Sequence, residues 1–406
     1  MQPAAVRPLE GHRDRRRRAD DHVRLRRPDA EFAHKLALPL AYVLPARAPV
    51  GKIRGVPPPG TGPYRITAFA PGRSVRLVRN THFRSWSAEA RPDGFPDAID
   101  FTISSDPGAR VGAVEHGRAD AVVTAGVFGG QLSLDQDRAL ALADANHVLS
   151  GSAPNTNSFF VNVRARPFDD PRVRRALNYA IDRRRMVKLA GGGGLAGLSC
   201  QILPPGLPGY TPTCQYTRDA TPGGSWSAPD LARARRLIAA SGSRGARVQV
   251  WGFPKYAAVT RYAGEVLRRL GYQVRVRILP LPVYFDYVND SRHHAQVGLT
   301  GWIDDFLTPS SFFDPFRCAQ FARDSITNAN PSQFCDRGLD AAYAAALAAR
   351  GTDANARWAA LDRRVLAASP AIPVFNRRTL LLVSDRLGNA QMHQELGPLL
   401  DQFWVR

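Results

Sequence analysis

Lysine is nearly absent from this chain: Lys35, Lys52, Lys188 and Lys255 are the only four, so 51 of the 55 basic residues are arginine. With 35 acidic residues the formal charge is +20. Such a charge invites a nucleic-acid reading, because Lys and Arg neutralise phosphates. Near-exclusion of lysine, in a chain also rich in Ala, Gly and Pro, reads as a genomic bias before a functional one. Residues Arg13 to Arg27 hold eight Arg against Asp14, Asp20 and Asp21, a local +5, and the remaining charge is spread thinly. The Arg-rich leader keeps a regulator-type, phosphate-contacting alternative open.

Long apolar runs are also missing. The most apolar early segment, Leu36 to Val50, is interrupted by Pro39, Pro45 and Pro49, and nothing approaches the roughly 18 to 20 residues of a membrane-spanning helix. No short basic region followed by an apolar stretch and a small-residue cleavage site opens the chain, so no secretory signal is present as written. Catalytic and metal signatures are lacking too: there is no Gly-x-Ser-x-Gly, His-Glu-x-x-His or Cys-x-x-Cys. His293-His294 would point to opposite faces of a strand and has no evident third ligand. Gly192, Gly194 and Gly197 spell G-x-G-x-x-G but follow a helix and precede prolines, the wrong context for a dinucleotide. Neither a cofactor nor a metal is expected, and the chain reads as no enzyme.

Cysteine is scarce. The four fall into two local pairs, Cys200 with Cys214 and Cys318 with Cys335, each bracketing a loop rich in Pro, Gly, Ser or Asn. That spacing suits two disulfides, with buried free thiols as the alternative and zinc a poorer one. Disulfides require an oxidising compartment, which conflicts with the missing export signal.

What is present is a folded α/β pattern. Residues 1 to 22 have no hydrophobic periodicity and read as a disordered or out-of-place leader. A short strand is expected at Val23 to Arg26 and a helix at Glu31 to Leu38. Tyr64 to Phe69 and Ser74 to Arg79 alternate as half-buried strands around a Pro71-Gly72 turn, a hairpin. Further strands are expected at Ala98 to Ser104, Asp120 to Val123 and Asn157 to Val163, with a helix at Pro107 to Glu115. The longest helical signal runs from Pro167 to Lys188, with Asp169 or Asp170 as N-cap. Helices at Ala228 to Ala240 and Ala257 to Leu270, each followed by a strand, imply an α/β domain. Helices at Gly338 to Ala349 and Asn355 to Ala367 precede a strand-like Ala371 to Leu382.

Gly60-Thr61-Gly62-Pro63-Tyr64-Arg65-Ile66, Leu77-Val78-Arg79-Asn80 and Ile99-Asp100-Phe101 resemble the hairpin of the bacterial extracellular solute-binding protein family 5, the dipeptide, oligopeptide and nickel binders. Pro167-Phe168-Asp169-Asp170-Pro171-Arg172-Val173-Arg174 and Ala176-Leu177-Asn178-Tyr179-Ala180-Ile181-Asp182 resemble the same family's helix start. Leu203-Pro204-Pro205-Gly206 and Ala371-Ile372-Pro373-Val374-Phe375 extend the likeness over about Val23 to Arg406. The resemblance implies a two-lobed, class II periplasmic-binding-protein-like α/β fold, divided as 23–155 (part of a first lobe), 156–370 (second lobe) and 371–406 (return to the first). It also implies that opening strands and an inserted extra domain should precede Val23, so the chain reads as N-terminally truncated. A signal peptide, and usually a lipid-carrying cysteine, would lie upstream, which removes the conflict over the cysteines. The expected role is ligand delivery to the permease subunits of an ABC importer from outside the cytoplasm, as a monomer, with no nucleic-acid partner. A non-functional remnant with an exposed apolar sheet face is the competing expectation.

Within Gly301-Trp302-Ile303-Asp304-Asp305-Phe306, Asp305 matches the family's acidic residue for the free amino group of a bound peptide, and Trp302 the aromatic wall beside it. A carboxylate in a water-poor cleft makes a strong charge-assisted contact to an ammonium, and an indole packs on the cation or on side chains. Asp304 joins them as a neighbouring carboxylate, and Tyr284 is a further aromatic candidate. Leu299 stands where oligopeptide binders carry an arginine.

Overall fold

The computed structural model describes residues 23–38, 41, 42, 44, 57–89, 93–123, 134–142, 147–151, 154–326, 328–394 and 396–406. The expected leader, 1–22, lies outside them, as does most of the proline-rich stretch 39–56. Val23 to Arg26 forms no strand, and the chain's first element is a short helix, α1 (Phe32–Leu36).

β1 (Tyr64–Ala70), β2 (Ser74–Arg79) and β3 (Ala98–Thr102) then form an antiparallel three-stranded sheet. A register shift between Ile66 and Ala68 lets Ile66 and Phe69, three residues apart, share one face despite the two-residue period of a strand. Ile66 pairs with Leu77 and Leu77 with Ile99, while Phe69 pairs with Val75 and Val75 with Phe101. α2 (Pro107–Glu115) follows, opened by Asp106, whose carboxylate accepts from the Gly108 and Ala109 N–H groups. β4 (Ala121–Val123), α3 (Leu134–Leu142) and β5 (Val148–Gly151) complete the N-terminal part.

From β6 (Asn155–Val161) the molecule has a large core. All seven β6 residues are buried because the strand is third in a six-stranded sheet of order β7-β11-β6-β10-β8-β9. Around that sheet run α4 (Pro171–Ala180), α5 (Arg183–Leu189), β7 (Ala196–Leu198), α6 (Leu231–Ser241), β8 (Arg247–Gly252), α7 (Ala257–Arg269) and β9 (Gln273–Ile278). α8 (Leu281–Asn289), β10 (Val297–Ile303), α9 (Pro309–Phe313), α10 (Arg337–Ala348), α11 (Gly351–Ala368), β11 (Ala371–Arg377) and β12 (Thr379–Val383) follow. β8 and β9 are parallel, with α7 as their crossover, as the alternating pattern predicts. Phe159, Val297, Leu299 and Ile372 are fully buried, each contributing roughly 1.5–3 kcal/mol of transfer free energy.

Two boundaries differ from the sequence reading. The single helix expected over 167–188 is two: Ile181 is extended (ψ 123°), and the Asp182 side chain accepts from the Arg185 N–H to start α5. The return at 371 also comes later, because β11 pairs with β6 and β7 in the large sheet. Only β12 joins β4 and β5, so the crossing falls near residue 378.

Both cysteine pairs are disulfides, Cys200–Cys214 and Cys318–Cys335, with Cα–Cα distances of 5.1 and 4.4 Å. The first packs against Trp226 under the loop that follows β7. His293 and His294 stand in a 3₁₀ turn and not on a strand, where His293 stacks on Tyr287. Among the described residues no helix is long and apolar enough to cross a membrane, and no cluster of three metal-ligating side chains occurs.

Candidate ligand-binding site

Strand alternation places the site. β6 and β10 pair antiparallel with Thr156 opposite Trp302, Ser158 opposite Thr300 and Phe160 opposite Gly298. These residues share one face of the sheet, while Phe159, Val161 and Leu299 point the other way into the main core. Five of them, Thr156, Ser158, Phe160, Thr300 and Trp302, floor a cavity of about 290 Å³. Phe285 and Asn289 on α8, with Phe312 and Phe316 at and after α9, form its opposite wall. Ile202 and the stretch 329–332 close its sides.

Trp302 is half-buried, and its indole N–H donates to the Ser311 hydroxyl at 3.3 Å. The same oxygen accepts from the Asp305 backbone N–H at 2.8 Å, so one buried serine fixes both residues. Asp305 stands two residues past the strand, its carboxyl open to solvent on one side. Burial on the other side, and then the Asp314 carboxylate, raise its pKa above the usual range. Among the described residues no Lys, Arg or His side chain forms an ion pair with Asp305. Asp314, in contrast, is held by Arg317 at 2.7 Å and by Gln320. Asp304 donates its backbone N–H to Pro154 O at 3.3 Å, and neither its side chain nor that of Asp305 lines the cavity, which of the expected site residues keeps only Trp302.

Tyr284 requires correction. It is fully buried, its hydroxyl donates to Leu299 O at 2.6 Å, and burial raises its pKa well above the usual value. Gly298 permits this, since a Cβ there would overlap the Phe160 ring and come within 2.7 Å of the Tyr284 hydroxyl oxygen. On a helix the next residue is turned by about 100°, so Phe285 lines the cavity instead. Leu299, being an odd number of residues from Trp302, cannot face the cavity from the same strand.

Two contributors escape sequence reasoning. Ser311 gives no motif signal. Glu31, beside α1, accepts from the Thr308 hydroxyl at 2.7 Å and from Ser310, tying that early segment to the loop carrying Asp305. Its sequence separation from these partners, more than 270 residues, leaves no local signal.

A mixed six-stranded sheet with a parallel βαβ edge, a second sheet built from both sides of it in sequence, and a cavity floored by the larger sheet describe the fold of the class II periplasmic binding proteins. The chain belongs to the bacterial extracellular solute-binding proteins, family 5, whose middle-region model matches residues 18–322. It is 25% identical over 329 residues to the dipeptide-binding protein of Escherichia coli (strain K12), covering 77% of this chain and 56% of that protein. A glutathione-binding protein of Pectobacterium atrosepticum is 29% identical over 172 residues, 41% of this chain and 31% of the relative. Among solved structures, clavulanic acid biosynthesis oligopeptide binding protein 2 superposes with a TM-score of 0.83 at 26% identity, over 96% of this chain and 71% of that one. The unliganded open form of a periplasmic murein tripeptide binding protein gives 0.66 at 20% identity, over 85% and 64%, and speaks for the fold alone. The chain spans a little over half the length of the dipeptide-binding relatives.

Proposed function

We propose that this chain is the ligand-binding part of an extracytoplasmic component of an ABC importer, taking peptides or a similar amine-bearing solute and presenting them to permease subunits. The observation that carries the reading is the Asp305 carboxylate beside Trp302, unpaired with any Lys, Arg or His among the described residues, both residues being positioned through Ser311. In a chain with 20 more basic than acidic residues, an exposed carboxylate with no cationic side-chain partner among the described residues is available to a cation from outside. The two disulfides fit an oxidising, extracytoplasmic location. Relatives named as dipeptide-, glutathione- and oligopeptide-binding support the solute class.

Titration calorimetry of the 406-residue chain with alanyl-alanine and with its N-acetylated form tests this. The free amine should bind, the acetylated one at least tenfold more weakly. Asp305→Ala should cost about 2 kcal/mol, roughly thirtyfold in Kd, the worth of a charge-assisted hydrogen bond. An affinity unchanged by Asp305→Ala would remove Asp305 from the site.

A further inference from the structure

The cavity floored by the sheet is unusual for its surroundings in one respect: none of its lining residues is charged, although charged residues make up 22% of the chain. Its polar groups divide into two sets. The Thr156 hydroxyl is committed to Ile202 O at 2.8 Å, the Ser332 hydroxyl to Asn330 Oδ1, and the Asn330 amide to Phe334 O. Ser158, Thr300 and Asn289 differ. Ser158 is 5% exposed, and among the described residues its hydroxyl takes no hydrogen bond, which leaves it to the cavity. Thr300 sits directly opposite on β10 with its hydroxyl equally uncommitted. Asn289 uses its backbone carbonyl for Asn328 and leaves its amide to the cavity. Thr300 and Asn289 are half-buried, and a polar group that keeps contact with a cavity and has no intramolecular partner is completed there by a ligand or water.

We infer that this cavity is a side-chain pocket for an uncharged, largely apolar group of the ligand carrying one hydrogen-bonding atom, an aromatic side chain with a hydroxyl being the fullest match. The inference rests on reading Trp302 and Asp305 as the ligand wall, because Trp302 belongs to both. About 290 Å³ lies at the small end of ligand pockets, room for one side chain and not for an extended peptide. Phe160, Phe285, Phe312, Phe316 and Trp302 supply aromatic edges and faces, which suit another ring. Ser158, Thr300 and Asn289 supply donors and acceptors without charge. A carboxylate or ammonium in the same place would be desolvated with no counter-charge, so acidic and basic side chains are rejected.

The test compares tyrosyl-alanine and alanyl-tyrosine with alanyl-alanine, and with the corresponding lysyl and aspartyl peptides, by titration calorimetry on the 406-residue chain. At least one tyrosyl peptide should bind tenfold or more tightly than alanyl-alanine, and the charged peptides no more tightly than alanyl-alanine. Thr300→Leu and Asn289→Phe each fill the cavity from a different wall, and in whichever folds the tyrosyl-to-alanyl ratio should collapse below twofold. A ratio preserved in a folded, filled variant, or a wild type that prefers lysyl or aspartyl peptides, overturns the inference. If no dipeptide binds, the peptide reading itself fails, and p-cresol followed by tryptophan fluorescence isolates the pocket. Binding lost in the filled variants then sustains the pocket, and no binding to wild type overturns it. Asp305→Ala, which should weaken all dipeptides by a similar factor, reports on the wall and not on the pocket.

Discussion

At the residue scale, the most consequential side chain outside the site is Arg183. It is 1% exposed and, among the described residues, has no carboxylate partner, and burial lowers its pKa to about 10. The charge is tolerated because the guanidinium donates to the carbonyl oxygens of Ser199, Pro373, Asn178 and Tyr216 and to Asn178 Oδ1. These carbonyls come from β11, the disulfide-bearing loop and the end of α4, so one side chain joins three segments distant in sequence. Arg183→Leu removes the charge but leaves several buried carbonyls unmatched, at a cost of about 3 kcal/mol or more. Urea denaturation should show it, whereas Arg175→Leu, on the exposed side of α4, should change stability by less than about 1 kcal/mol. A comparable loss for both variants would show that Arg183 holds nothing together. Residue types alone hint at such roles only where a pattern is local. Trp302 and Asp305 stand out in the sequence because Gly301 to Phe306 resembles the family's motif at those positions. Ser158 and Asn289 do not, because their importance comes from partners they lack, which only the folded packing reveals.

At the element scale, the stretch 201–203, just after Cys200 inside the first disulfide loop, is held by α11. Asp362 accepts from the Ile202 N–H at 3.0 Å, from the Leu203 N–H at 3.3 Å and from the Gln201 side chain at 3.0 Å. Ile202 lines the cavity, so this carboxyl also fixes one wall of the pocket. Burial raises the Asp362 pKa from 3.8 to about 7, against the opposing pull of those three donors. Between about pH 4 and pH 7 the folded protein therefore binds a proton that the unfolded chain has released. The stability from this group is full below pH 4, declines as pH rises through that window, and is flat above it. Urea titrations at pH 4.5, 6 and 7.5 should show a decline in the wild type that Asp362→Asn lacks, even though the asparagine lowers stability overall by mismatching the Leu203 N–H. The same slope in both proteins would place the titration elsewhere. Elements themselves were readable wherever caps and periodicity agreed: Asp106 before α2, Asp170 before α4 and the β8–α7–β9 run stand within a few residues of expectation. The break at Ile181 was not read, although Asp182 is a good N-cap, because the apolar face runs through it without interruption. β11 and β12 were read as one strand, although the polar run Asn376-Arg377-Arg378-Thr379 separates two apolar stretches and the switch between sheets falls within it.

At the scale of the whole molecule, the two parts of the chain differ in how well they bury their apolar residues. The six-stranded sheet is covered, but the β1–β3 sheet is not: Ile66 and Phe69 are each 37% exposed, Phe101 36% and Ile103 53%. The bulge in β1 gathers these side chains on one face, so the exposure is contiguous and not scattered. Contiguous apolar surface favours association, while the formal +20 charge opposes it through repulsion between copies. Salt decides which term wins, because it screens charge over about 10 Å at 0.1 M and leaves apolar attraction intact. Self-association measured by light scattering should therefore rise between roughly 0.05 and 0.5 M salt, the range over which the screening length shortens several-fold. Phe69→Ser with Phe101→Ser should abolish that rise and reduce binding of an apolar-surface dye without lowering the thermal midpoint, since neither ring is in the main core. Association that instead weakened with salt would point to opposite-charge contacts, and association unaltered by the double substitution would place the sticky surface on another part of the molecule.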